Sequence, residues 1–239
     1  MSPRSLVPSR NAPEAASGLL LLDKPSGPTS FDCIRQVRRI LQQKRVGHCG
    51  TLDPMAEGVL VLLFGQHTRR QDDFLEMEKQ YWFRSELGKQ TDSGDRTGVV
   101  TRTRPVGEIT LADLQRIADS FNGEQWQTPP RVSALKYKGK RLYEWARQGV
   151  DVPRAPRKIY ITDFTILAYE KPLWEARVVC SRGTYIRALV EDVAWRLGTV
   201  ATVDALIRER VGRYRREDAL GWNELCRCTR EDLLRFSHG

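Results

Sequence analysis

Two short, uninterrupted apolar runs, Leu19 to Leu22 and Val59 to Phe64, set the first limit on what this 239-residue chain can fold into. Each is far below the roughly 20 residues that a membrane-spanning helix needs. Neither alternates apolar with polar residues, so both read as buried strands. Turn residues follow the first run (Asp23 to Pro28), and a glycine-rich stretch, Gly47 to Gly58, precedes the second. The chain is therefore expected to build a sheet whose inner strands are interrupted by sharply turning loops.

Helical periodicity accounts for much of the rest. Phe31, Ile34, Val37, Ile40 and Leu41 repeat at close to 3.6 residues behind a Thr29 or Ser30 cap, with Arg35, Arg38 and Arg39 largely off that stripe. Leu111, Leu114, Ile117, Ala118 and Phe121 mark a second helix, started by Thr110. Ile186, Leu189, Val190, Val193 and Leu197 mark a third, with Gly198 just past its end. Tyr81 to Leu87 reads as a strand, and Ile159 to Ala168 with Trp174 to Cys180 as a hairpin. Leu142 to Gln148 reads as a short helix ended by Gly149. Strands and helices alternate irregularly without a repeat. The fold class is α/β or α+β, with a largely antiparallel sheet. The segment from Gln127 to Pro156 is the best candidate for an insertion on that core.

Charge narrows the partners. The net charge is +9, which favours a polyanionic partner. Arg131 to Lys158 carries nine Lys or Arg against Glu144 and Asp151 alone, and Cys33 to Leu52 carries five basic residues and no acidic one. Tyr137, Tyr143 and Trp145 are interleaved with the first of these runs, the combination expected of a surface that binds nucleic acid. Cys33, Cys49, Cys180, Cys226 and Cys228 are odd in number and irregular in spacing, so reduced cytosolic thiols are expected rather than disulfides or a zinc site. Residues 1–17 hold Pro3, Pro8 and Pro13 and lack the apolar centre of a secretory signal, so they are expected to form a disordered tail.

The chemistry concentrates in Gly47-His48-Cys49-Gly50-Thr51-Leu52-Asp53-Pro54-Met55-Ala56-Glu57-Gly58. A carboxylate between a glycine-rich approach and a proline can be held rigidly while backbone passes close to a ligand. An Asp-Pro pair also caps helices and starts turns. From the residues alone, both readings of Asp53 stay open.

That loop resembles the catalytic motif of the TruB family of pseudouridine synthases, and five more segments resemble the same family in the same order. They are Asp23-Lys24-Pro25-Ser26-Gly27-Pro28-Thr29-Ser30, Lys79-Gln80-Tyr81, the turn from Gly88 to Asp95, Ser133 to Gly149, and Cys180-Ser181-Arg182-Gly183-Thr184-Tyr185-Ile186-Arg187. The likeness runs from about Gly18 to Tyr214. It implies a pseudouridine-synthase fold: a mixed, mainly antiparallel sheet flanked by helices, with an inserted basic thumb loop at 127–152. It also implies isomerisation of uridine to pseudouridine in the T-loop of tRNA (position 55), with no metal and no cofactor. Asp53 matches the essential carboxylate, acting as a nucleophile at C1′ or as a base at C2′. Arg187 matches the arginine that pairs with it. His48 matches the histidine that helps hold the flipped-out region of the T-loop, and Tyr81 the tyrosine that stacks on the flipped base. Tyr185 and Leu206 match positions lining the uracil pocket. Lys24 and Pro25 are expected to brace the catalytic loop. Lys136, Lys138, Lys140, Arg141 and Arg147 on the thumb are expected to meet RNA phosphates.

The sequence departs from the family in two places. Residues 216–239 are a short extension, too few for the complete PUA domain that many members carry after the catalytic domain (18–215). Where the family usually has a second arginine, Ile207 stands, so a phosphate or aspartate contact made there is expected to be missing. Other readings are a non-catalytic RNA-binding or tRNA-folding module, a synthase acting on another RNA, and a guide-RNA-dependent synthase, a group that lacks such a thumb. The expectation for the assembly is a cytoplasmic monomer that binds the tRNA T-arm and no membrane.

Overall fold

A computed structural model describes residues 15–238. The tail expected over 1–17 lies mostly outside the described residues. Its last two residues are tied to the body, where the Ala16 carbonyl accepts from Gln43 Nε2 and Ser17 Oγ meets His67 Nδ1.

The chain opens with β1 (Gly18–Lys24), α1 (Ser30–Leu41), β2 (Val46–His48) and β3 (Glu57–Phe64). Thr29 starts α1 through a capping box with Asp32: each side chain satisfies the other's free backbone N–H. The stretch expected as one loop from Gly47 to Gly58 is narrower, because β2 pairs with β3 as far as His48 and β3 begins at Glu57. Next come α2 (Gln71–Leu75), β4 (Lys79–Leu87), β5 (Lys89–Thr91), β6 (Val100–Thr103), α3 (Leu111–Asp119) and β7 (Gly123–Gln127). Thr110 caps α3 with Asp113 by the same reciprocal device.

The basic segment forms β8 (Lys136–Tyr137), β9 (Lys140–Arg141) and α4 (Leu142–Arg147). The chain then runs through β10 (Arg157–Glu170), β11 (Leu173–Cys180), α5 (Ile186–Arg196) and β12 (Ala201–Val211). It finishes with β13 (Tyr214–Arg215), β14 (Leu220–Gly221), α6 (Trp222–Arg227) and α7 (Arg230–Arg235).

One mixed sheet organises these elements in the order β14-β1-β3-β12-β4-β11-β10-β7, with β2 added beside β3 and β13 beside β12. The pairings are antiparallel except β1 with β14 and β3 with β12. The two apolar runs lie side by side as β1 and β3 and are buried on both faces. Leu20, Leu22, Leu60 and Leu62 face the large core under α1, α3, α5, α6 and α7. Leu19, Leu21, Val59, Val61 and Leu63 face a smaller cluster with Phe74 of α2. No described helix is long and apolar enough to cross a membrane.

The basic segment leaves the sheet at Gln127 and returns at Arg157, which are register partners on β7 and β10. It lies between the two strands of that edge pair. Residues 216–238 are less separate than expected. β14 pairs with β1, His238 bridges to Leu19, and Leu220, Leu225 and Leu233 sit in the main core. Replacing the fully buried Leu225 by alanine should cost about 2–5 kcal/mol in chemical denaturation, as for other core leucines. A loss below about 1 kcal/mol would mean that this segment is only an appendage.

Candidate active site

The loop between β2 and β3 is fastened from three sides. Ser30 Oγ, at the first turn of α1, both donates to the Leu52 carbonyl and accepts from the Leu52 N–H. The Gly27 N–H donates to the Pro54 carbonyl. Lys24 is fully buried at the end of β1, and its ammonium donates to the carbonyls of Pro25, Pro54 and Ala56. Burial lowers the Lys24 pKa to about 8. Lys24 thus holds the loop by its backbone, and neither Lys24 nor Pro25 lines the cavity.

Asp53 stands at the tip with its side chain 31% exposed. Arg187, from the first turn of α5, donates through Nε to Asp53 Oδ2 at 2.8 Å. Arg187 is itself 3% exposed, and its other nitrogens donate to the Ser93 and Val132 carbonyls. Asp95 Oδ2 lies 3.7 Å from Arg187 Nε. One guanidinium therefore ties the Asp53 loop to the 91–98 turn and to the root of the basic insertion. Asp53 Oδ1 makes no hydrogen bond among the described residues.

In front of Asp53 opens a cavity of about 280 Å³, lined among others by Tyr81, Tyr185, Leu206, Arg187 and Arg208. By liquid volume it would hold about nine waters, the scale of one nucleoside rather than of an RNA strand. Tyr81 of β4 and Leu206 of β12 come from neighbouring strands. Tyr185 precedes α5, and its backbone N–H and carbonyl are both bonded to the Gln127 side chain. Four of the expected residues, Asp53, Tyr81, Tyr185 and Leu206, thus converge with Arg187 on one cavity.

His48 is not on that wall. It lies on β2 with its carbonyl accepting from Gln71 Nε2, and its buried Nδ1 has no partner among the described residues. Burial, followed by the charges of Arg208 and Arg141, lowers its pKa from the ordinary 6.5. The influence of Arg141 places the insertion close to β2. Lys136, Lys138, Lys140, Arg141 and Arg147 are all exposed, and among the described residues none is in a salt bridge. Lys138, Lys140 and Arg147 instead lie over Tyr137, Trp145 and Tyr143 at 5.0–5.6 Å.

Sequence reasoning missed Arg208. Ile207 suggested that an arginine was missing from this strand, yet one residue on Arg208 is 1% exposed and reaches under the Asp53 loop. Its Nε donates to the Val59 carbonyl at 2.8 Å and its Nη2 to the Gly50 carbonyl at 3.0 Å. The available signal was strand alternation: Arg208 lies two residues from Leu206 and faces the same way. Lys79 was missed as a cavity residue too. Its ammonium is spent on the carbonyls of Phe74, Leu75 and Met77, and burial lowers its pKa to about 8.

The His48 shift has a consequence for stability. Below pH 6.5 the unfolded chain takes up a proton that folded His48 resists, so stability falls with pH from that point down to the lowered folded value. His48→Gln should flatten this part of a stability-against-pH curve, and an unchanged slope would show that His48 titrates normally in the fold.

Residues 38–186 match the family model for "TruB family pseudouridylate synthase (N terminal domain)". The chain is 44% identical over 207 residues to the tRNA pseudouridine synthase B of Endomicrobium trichonymphae, covering 87% of this chain and 90% of that one. It is 41% identical over 222 residues to the tRNA pseudouridine synthase B of Vibrio campbellii, covering 93% of this chain and 69% of that one. Among solved structures, a chain in the crystal structure of a Cbf5-Nop10-Gar1 complex superimposes with a TM-score of 0.67 at 25% identity, covering 90% of this chain. A chain of an H/ACA RNP bound to a substrate RNA containing 2′-deoxyuridine gives 0.64 at 25% identity, covering 86%. This chain spans 59% and 51% of the length of those two.

Proposed function

The chain belongs to the TruB family of pseudouridylate synthases, and we propose that it isomerises uridine to pseudouridine in the T-loop of tRNA, at position 55, with Asp53 as the catalytic carboxylate. The observation that carries this reading is the Asp53–Arg187 pair at the mouth of a nucleoside-sized cavity. Arg187 fixes one carboxylate oxygen and leaves Oδ1 open, so that oxygen is the one presented to ribose C1′ or C2′. The reaction breaks the C1′–N1 bond, turns the uracil and joins C1′ to C5. It needs a positioned carboxylate and a place to hold the detached base, and both are within reach of one nucleoside here.

A uridine in folded tRNA must leave its stack to enter, at a cost of a few kcal/mol. Tyr81 offers an aromatic face for the flipped base, while Leu206 and Tyr185 close the cavity around it. His48, neutral through burial, lies behind the loop where it can meet an adjoining nucleotide. The insertion would hold the T-arm by its phosphates, which position RNA without reading its sequence. An exposed ammonium or guanidinium already lying on an aromatic ring can reach a phosphate without giving up a carboxylate partner.

Two measurements test the reading. With tRNA transcript tritiated at uracil C5, the chain should release tritium from one T-loop uridine, and Asp53→Asn should abolish release. Binding without release by the unaltered chain would favour a non-catalytic RNA-binding module instead. Replacing Lys140 and Arg141 by alanine should weaken binding to all tRNAs alike. It should also lower the slope of log K against log salt by about 0.7–0.9 for each phosphate that the variant no longer neutralises. An unchanged slope would separate the insertion from RNA binding.

A further inference from the structure

Arg208 is a fully buried cation without a carboxylate. Among the described residues it forms no salt bridge, and its Nε and Nη2 donate to two neutral carbonyls, of Val59 and Gly50. Desolvating a guanidinium on those terms is costly. Two carbonyls could be met by neutral donors, so bracing the loop does not by itself explain a charge there. The charge stands on the cavity wall, and it is cross-strand partner to Tyr81 in the β4–β12 register. Burial raises the Tyr81 pKa, and Arg208 opposes that shift through its charge and a hydrogen bond.

The position is also rigid. Arg208 pairs with Gly58 across the parallel β3–β12 contact. A Cβ on Gly58 would stand 2.2 Å from the Arg208 carbonyl oxygen, at a φ of +101°. Only glycine lets the two strands come this close. Charge elsewhere in the cavity is divided differently. Arg187 is compensated by Asp53 and Asp95 at the ribose end. Lys79 has committed its donors to three backbone carbonyls. Arg208 is left as an uncompensated charge beside Tyr81.

We propose that Arg208 is a catalytic residue that stabilises the negative charge on the detached uracil. The inference rests on the isomerase reading above. When the C1′–N1 bond breaks, its electron pair stays on uracil, and the charge spreads over N1, O2 and O4. The base then turns, C5 forms the bond to C1′, the proton on C5 leaves, and N1 takes up a proton, so atoms and charge balance with no further reactant. A fixed cation beside the base lowers the free energy of the separated state without reorganising when the charge appears. Arg208 supplies that cation while Asp53 acts at the sugar, so the two ends of the cavity serve the two fragments.

The test compares Arg208→Met, which keeps much of the volume and removes the charge, with Arg208→Lys, which keeps the charge and loses the planar fork. For each, the single-turnover rate on T-loop-labelled tRNA, the tRNA Kd and the melting temperature are measured. The expected result is a rate loss of about 100- to 1,000-fold for Arg208→Met, with Kd changed less than about threefold. Arg208→Lys should recover at least about tenfold of that rate even where its melting temperature falls with that of Arg208→Met, because an ammonium cannot reproduce the planar fork that meets the Val59 and Gly50 carbonyls. Rates that follow melting temperature in both variants, or an Arg208→Met rate within about threefold of the unaltered chain, would overturn the proposal. An unaltered chain that converts no uridine would instead sink the isomerase reading, and that result is distinct from either.

Discussion

The Arg187–Asp53 ion pair joins side chains 134 positions apart in sequence, and the candidate site exists only when that distance is closed. Arg187 is almost wholly buried. A buried guanidinium is tolerated when its donors are met and its charge is opposed, and is strongly destabilising when it is stripped of partners. Here the partners are the Asp53 loop, the 91–98 turn and the root of the insertion. No local piece of the chain can build this arrangement. β12 and β4 carry Leu206 and Tyr81 to the same cavity, and Arg187 and Tyr185 reach it from the start of α5.

The same dependence explains the apolar runs. β1 and β3 must be covered on both faces, so they sit deep in the sheet, and the loops leaving their ends emerge at one edge of the core. The end of β1 carries Lys24 beneath the loop that precedes β3. Its buried ammonium is held by the carbonyls of Pro25, Pro54 and Ala56. Stability and site geometry therefore share residues: Lys24, Ser30 and Arg208 hold the loop by its backbone, leaving the Asp53 side chain to the cavity.

Features fixed by local chemistry were legible in the sequence. The helix start at Thr29 or Ser30, that at Thr110, the strand character of the apolar runs and the hairpin of β10 and β11 follow from spacing and turn residues. Asp53 was visible as a carboxylate in a restrained loop, but its catalytic weight came from likeness to a family, since an Asp-Pro pair has commoner uses. Arg208 was hidden for a physical reason. A charge is expected at the surface, and only the long-range pairing of β12 with β3, allowed by Gly58, takes this one inside. Burial of Leu225 and Leu233 was hidden likewise, because short amphipathic helices show which face is apolar without showing what they cover.

The insertion has a mechanical consequence. Its aromatic residues pack on one another, with Trp145 Nε1 bonded to the Tyr137 carbonyl, and its ends meet at one pair of sheet residues. The Val132 carbonyl lies within this insertion and accepts from Arg187 Nη2. Any displacement that carries Val132 away removes one of the tethers on the guanidinium that aims Asp53. The insertion and the Asp53 carboxylate are thus joined through a single planar side chain, which works as a linkage as much as a charge.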